Sequence, residues 1–133
     1  MRHIFFALFT LTLFAVSCKK VNPEFLIPEG TYVGTFQRLS SSGGEVSNVT
    51  ITFSGNNWTG QSQFAEYPAL CQGKYKTSGG DKITFENACA WTAEFDWTLI
   101  LSQDYKLVFA GNSIEISRDY NGAFKDIYKL TKQ

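Results

Sequence analysis

Residues 89–101 read CAWTAEFDWTLIL. Cys89, Trp91, Ala93, Phe95, Trp97, Leu99 and Leu101 occupy every second position, with Thr92, Glu94, Asp96 and Thr98 among the residues between them. Successive side chains of an extended chain point to opposite faces. The pattern therefore puts one set on a buried face and the other in water, as a half-solvated antiparallel strand requires. Trp91 and Phe95, four apart, also suit the first turn of a helix near Asn87, but the later residues break helical spacing. The favoured reading is a strand over 90–101, bent near Ala93.

The same two-residue rhythm runs outward in both directions. It recurs in Val49, Ile51 and Phe53, in Ile83 and Phe85, in Tyr105, Leu107 and Phe109, in Ile114 and Ile116, and in Tyr128 and Leu130. Turn-forming residues stand between these runs: Ser42-Gly43-Gly44, Gly55-Asn56-Asn57, Gly79-Gly80-Asp81, Gln103-Asp104, Gly111-Asn112 and Asn121-Gly122. Short loops of this chemistry join antiparallel neighbours. The pattern predicts eight or nine strands in up-and-down order, near 31–38, 46–54, 57–65, 71–77, 81–87, 90–101, 104–110, 113–119 and 123–131. No stretch has the spacing of a long helix. The expected fold is all-β, an antiparallel barrel whose closure removes the two edges an open sheet would expose, with a β-sandwich as the alternative. Thr59, Gln61, Lys82, Thr84, Glu86 and Lys106 alternate with the apolar positions. An outward face of that kind suits water and not lipid, which argues against a porin-like barrel.

The chain has 133 residues, 44% of them hydrophobic, enough for one packed domain. Residues 1–17 stand apart from it. Arg2 and His3 precede an unbroken apolar run, Ile4 to Val16, that ends on Ser17, the plan of a secretory signal. About 13 apolar residues are too few for the roughly 20 that a membrane-crossing helix needs.

Ala15-Val16-Ser17-Cys18 resembles the bacterial lipobox, with Ala15 where that signal more often has Leu. The resemblance implies that residues 1–17 are a lipoprotein signal peptide and that Cys18 becomes the lipidated first residue of the exported protein. It also implies an anchor of two or three acyl chains, at about 0.8 kcal/mol per buried CH₂. Lys19 and Lys20 stand where an inner-membrane retention signal would have Asp, which favours the outer membrane of the bacterial cell envelope, with the facing leaflet left open. With Cys18 lipidated, Cys71 and Cys89 remain, and in an oxidising compartment they are expected to form a disulfide. Residues 18–29 then form a tether, restricted by Pro23 and Pro28. Asn22-Pro23-Glu24 reads as a helix start, so that Phe25 to Ile27 would make one turn packed under the domain.

The domain at 30–133 resembles the small bacterial lipocalin-like lipoproteins. The resemblance rests on Gly30-Thr31-Tyr32 opening the first strand, on Asp96-Trp97-Thr98-Leu99-Ile100-Leu101, and on the closing Tyr128-Lys129-Leu130-Thr131-Lys132. Lipocalins usually have Trp where Tyr32 stands and carry a helix after the barrel, which is not expected here. The resemblance implies a barrel whose mouth takes a small hydrophobic ligand.

Many large rings, among them Tyr32, Phe36, Phe53, Trp58, Phe64, Phe85, Trp91, Phe95, Trp97 and Phe109, fall on the apolar phase. An eight-stranded barrel is just wide enough to be filled by side chains or to hold one small molecule, so these rings serve first as core. Trp58, Trp91 and Trp97, with Tyr32, are the ligand-binding candidates, because a tryptophan joins a large apolar surface to an N–H that seeks a polar partner. No catalytic residue is expected. The chain's single histidine, His3, leaves with the signal, which removes histidine-based nucleophile systems and the commonest metal ligand together. No metal or other cofactor is expected. Nor is nucleic acid, since basic residues after Lys20 are scattered singly. Two functions remain: a membrane-anchored binding module for a small apolar or amphipathic molecule, and a non-catalytic structural or protein-interaction lipoprotein with a filled barrel, such as an inhibitor-type module.

Overall fold

Ser47, Val49, Ile51 and Phe53 are buried while Val46, Asn48 and Ser54 are exposed, so the segment Val46–Ser54 is a strand with one face inward. The computed structural model describes residues 25–133. The signal segment expected at 1–17, the lipidation expected at Cys18 and the helix start expected at Asn22-Pro23-Glu24 lie outside the described residues.

Eight strands follow one another in chain order: β1 (Gly30–Leu39), β2 (Val46–Ser54), β3 (Asn57–Ser62), β4 (Gln72–Ser78), β5 (Lys82–Asn87), β6 (Gln103–Ala110), β7 (Ser113–Asp119) and β8 (Lys125–Lys132). Each pairs antiparallel with the next. The β1–β8 ladder, with Gly34 opposite Leu130 and Phe36 opposite Tyr128, closes the cylinder. Closure excludes the sandwich, because the two strands that would be sheet edges satisfy one another's backbone groups. Lys74, Lys76, Lys82, Glu86 and Lys106 are exposed on the outside, as their phase predicts.

The interior is filled by aromatic side chains. Ring centroids run from Tyr32 to Phe53 (5.4 Å), Phe53 to Tyr75 (5.0 Å), Tyr75 to Phe85 (6.5 Å), Phe85 to Tyr105 (5.8 Å), Tyr105 to Tyr128 (6.2 Å) and Tyr128 to Phe36 (4.8 Å). This belt starts and ends on β1. Most of its contacts are edge-on or tilted, the geometry the ring quadrupole prefers, at about 0.5–1.5 kcal/mol per pair beyond burial.

Up-and-down order gives the barrel two unlike ends. At one end the chain enters and leaves, and the hairpin turns β2–β3, β4–β5 and β6–β7 are short. Phe25 to Ile27 do not form the expected helical turn but run without regular structure and pack against this end. The Tyr75 hydroxyl accepts from the Ile27 amide (3.0 Å), Thr77 Oγ1 accepts from the Phe25 amide (3.0 Å), and the Phe25 ring meets Phe109 at 5.5 Å. Backbone bonds taken by barrel side chains hold the segment flat, so no helical turn is needed to satisfy it. The other end carries the β1–β2 and β7–β8 turns and the two long connections, 63–71 and 88–102.

The strand expected over 90–101 does not form. Residues 88–102 are a loop of bends holding a single 3₁₀ turn, Trp97–Leu99. β5 pairs directly with β6, Ile83 opposite Tyr105 and Phe85 opposite Gln103, which leaves no ladder for a strand between them. Local side-chain bonds take over the backbone instead. The Asp96 carboxylate accepts from the Thr98 amide (2.9 Å) and hydroxyl (2.6 Å), and Asn87 bonds to both backbone groups of Cys89. Asp and Asn compete with ladders in this way. Only Ile100 and Leu101, adjacent and so out of phase, are buried, and Ile100 makes a parallel bridge to Ala69 of the other long loop. Phe64, Trp97 and Phe109, expected inside, are each more than a third exposed, and Trp91 and Phe95 are only half-buried.

Candidate functional site

The 88–102 loop is held against the barrel rim at both of its ends. Cys89 is disulfide-bonded to Cys71, their Cα atoms 6.4 Å apart, which ties the start of the loop to the residue before β4. The 3₁₀ turn is held by Arg38 on β1, which donates through Nη1 to Asp96 (3.0 Å) and to Thr98 Oγ1 (2.9 Å). The same guanidinium makes a two-pronged pair with Asp126 on β8, Nε to Oδ1 and Nη2 to Oδ2, both 2.7 Å. It also lies 4.1 Å from the Phe124 ring centre. Burial works against the Arg38 charge, but the Asp126 bonds and charge, and then Asp96, outweigh it and raise its pKa. The Thr98 bonds, hydroxyl and then amide, hold the Asp96 carboxyl below its ordinary value, with Arg38 adding to them.

Between this loop and the end of β7 lies a cleft of ≈ 610 Å³, within the range of small-molecule sites. Its apolar wall includes Trp91, Trp97 and Ile100. Trp97 is 56% exposed yet fixed, since its Nε1 donates to Thr92 O at 2.8 Å. Trp91 packs edge-on against Phe95 at 5.7 Å, and its buried Nε1 meets no acceptor among the described residues. The polar wall includes Gln103, Arg118 and Tyr120. Arg118 lies over the Tyr120 ring at 4.8 Å. Its nearest acceptors, Ser102 O and Gln103 Oε1, are both at the long distance of 3.4 Å. Among the described residues it has no carboxylate within ion-pair distance. The Tyr120 hydroxyl donates to Thr98 O (3.1 Å), closing the wall. Burial first, and then the Asp126 charge, raises its pKa, so it stays protonated at neutral pH and keeps that donor.

Of the four aromatic candidates, the structure brings Trp91 and Trp97 to one cleft and sends the other two elsewhere. Trp58 is 1% exposed in the core, edge-on to Phe85 at 5.7 Å, its Nε1 donating to Glu86 O. Tyr32 is 2% exposed near the opposite end, its hydroxyl donating to Pro28 O (2.8 Å). Sequence reasoning missed Arg118, Arg38 and Asp126. The signal was there: Arg118 continues the inward phase of Ile114 and Ile116, and Asp126 shares that of Tyr128 and Leu130. A charge on an apolar phase marks a barrel mouth.

Among the described residues no group of three or more His, Cys, Asp or Glu is placed to hold a metal ion, and no helix is long and apolar enough to cross a membrane. Compared with protein-family models, curated proteins and solved structures, the chain has no match in any of the three, so no relative supplies a ligand or a residue role.

Proposed function

We propose that this chain is a lipocalin-like lipoprotein of the bacterial cell envelope, anchored through lipid on Cys18, that binds a small amphipathic molecule without transforming it. The supporting observation is the cleft at the rim, where two tryptophans, Trp97 held by its hydrogen bond, face an arginine and a tyrosine. The ligand sits beside the mouth and not on the barrel axis, because the aromatic belt already fills the axis. Residues 25–28 plug the end nearest the anchor, so the cleft opens on the side away from the bilayer. Six to ten residues of tilted strand, at about 3.3 Å each, separate the two ends by roughly 20 Å. Anchor and binding site then do separate work: one holds the protein at the membrane, the other samples the solution beside it.

The test has two arms. Labelled palmitate is expected on the exported protein and not on a Cys18→Ala variant. Native mass spectrometry of protein recovered from its own envelope is expected to show a small-molecule passenger that Trp97→Ala loses. No passenger, together with tryptophan emission that envelope extracts leave unchanged, would point to the second reading, a protein-interaction module. That reading has its own support in an outer groove of ≈ 370 Å³ whose lining includes Val33 and Val108, 40% and 45% exposed.

A further inference from the structure

The walls of the cleft specify its ligand more narrowly than its volume does, granted the reading above that the cleft is a binding site. The Trp97 indole is an exposed flat face that cannot swing away, because Thr92 O holds its N–H and the Asp96-capped turn holds its backbone. A rigid aromatic platform presents contact area with little rotamer entropy left to lose on binding. A flat ring covers such a face fully. A flexible alkyl chain in an open cleft would stay half in water and lose more entropy. At the other wall, Arg118 is partly desolvated by Tyr120 and Tyr105 (4.8 and 5.8 Å), and its donors reach protein acceptors only at 3.4 Å. The nearby carboxylates are committed elsewhere: Asp96 and Asp126 to Arg38, Asp104 to Lys82. A planar guanidinium with its fork open matches a carboxylate. The Trp91 Nε1 is buried beside this wall and has no acceptor among the described residues.

We infer that the cleft takes a water-soluble aromatic monocarboxylate, its ring against Trp97 and its carboxylate on Arg118. One open guanidinium answers one carboxylate, which sets the charge of the ligand. The position of the cleft, at the end away from the plugged and anchored one, makes the source solution and not the bilayer.

The experiment is calorimetric titration of the full exported chain in maltoside micelles with 2-naphthoate, with the neutral 2-naphthalenemethanol, and with the aliphatic decanoate. Naphthoate should bind at least about tenfold more tightly than the alcohol at pH 7, as a charge-assisted hydrogen bond to a carboxylate allows. Arg118→Gln should remove most of the difference between naphthoate and the alcohol, while Trp97→Ala weakens both. The wild-type comparison of acid with alcohol stands even if a variant folds poorly. Equal binding of acid and alcohol, unmoved by Arg118→Gln, would overturn the anion assignment while leaving the cleft a binding site. Decanoate binding more tightly than naphthoate would overturn the aromatic assignment. No binding of any of the three would overturn this inference, and the passenger measurement would then decide separately whether the cleft binds anything.

Discussion

Asp126 is 1% exposed and its carboxylate has both oxygens on the Arg38 guanidinium, whose side chain is 13% exposed. Replacing Asp126 with Leu leaves that cation at the closed side of the barrel mouth with Asp96 as its remaining carboxylate. Removing one partner of a buried pair costs about 3–5 kcal/mol, mostly from the stranded charge. The Asp96 contact is 54% exposed on the acid side and offsets at most about 1 kcal/mol of this, and the Phe124 face retains some of the cation's stabilisation. The expected loss is therefore near the low end, about 3 kcal/mol. For a domain of this size that is a fall in Tm of roughly 10 °C. The double variant Arg38→Met, Asp126→Leu replaces the pair by apolar groups and should recover at least about 2 kcal/mol of the loss. Urea unfolding followed by tryptophan emission measures all four corners of the cycle at constant m. A cost below about 1 kcal/mol for Asp126→Leu, or a double variant no more stable than the single, would refute the reasoning, because the guanidinium would then be in water whatever its partner.

Three further outcomes are expected. Cys71→Ser with Cys89→Ser should cost about 3 kcal/mol, from the unfolded-chain freedom that an 18-residue separation restores; amide exchange should quicken first in residues 88–96, and protection unchanged by reduction would count against the tie. Gly73→Ala should lose at least about 2 kcal/mol, since a Cβ there would sit 1.7 Å from Glu86 O and 3.1 Å from Trp58 Nε1, and thermal unfolding measures it. Because the folded Asp96 carboxyl is held below 3.8, its contribution is complete above about pH 4 and lost as pH falls through the folded value. Asp96→Asn should flatten that part of the stability profile, and a carboxyl carbon titrating at or above 3.8 by NMR would contradict it.

Much of the barrel could be read without coordinates. In β2, β6 and β8 a run such as Val49-Thr50-Ile51-Thr52-Phe53 has two faces of opposite polarity, and only a half-buried extended chain uses both. The turn pairs Gly55-Asn56, Gly79-Gly80 and Gly111-Asn112 stand where the observed hairpins reverse. The most regular run of all, Cys89 to Leu101, misled. Alternation is a necessary property of a half-buried strand and not a sufficient one, and here the Asn87 and Asp96 side chains bind the local backbone in place of a ladder. Of the site, Trp91 and Trp97 were legible because tryptophan is large and scarce. Arg118 showed itself only as a charge in phase with Ile114 and Ile116, because its significance lies in what it fails to pair with, which spacing does not record.

The sequence alone determined the all-β class of fold and, in most of the strands, which face would be greasy, since these follow from the spacing of side chains along one extended chain. Only the tertiary structure decided that the rings fill the axis, that residues 25–28 pack against one end, and that the long loop folds back to set two indoles opposite an arginine at the other. Those outcomes depend on which residues distant in the chain meet across the barrel, through pairs such as Arg38 with Asp126 and Cys71 with Cys89. Local periodicity carries no record of such meetings.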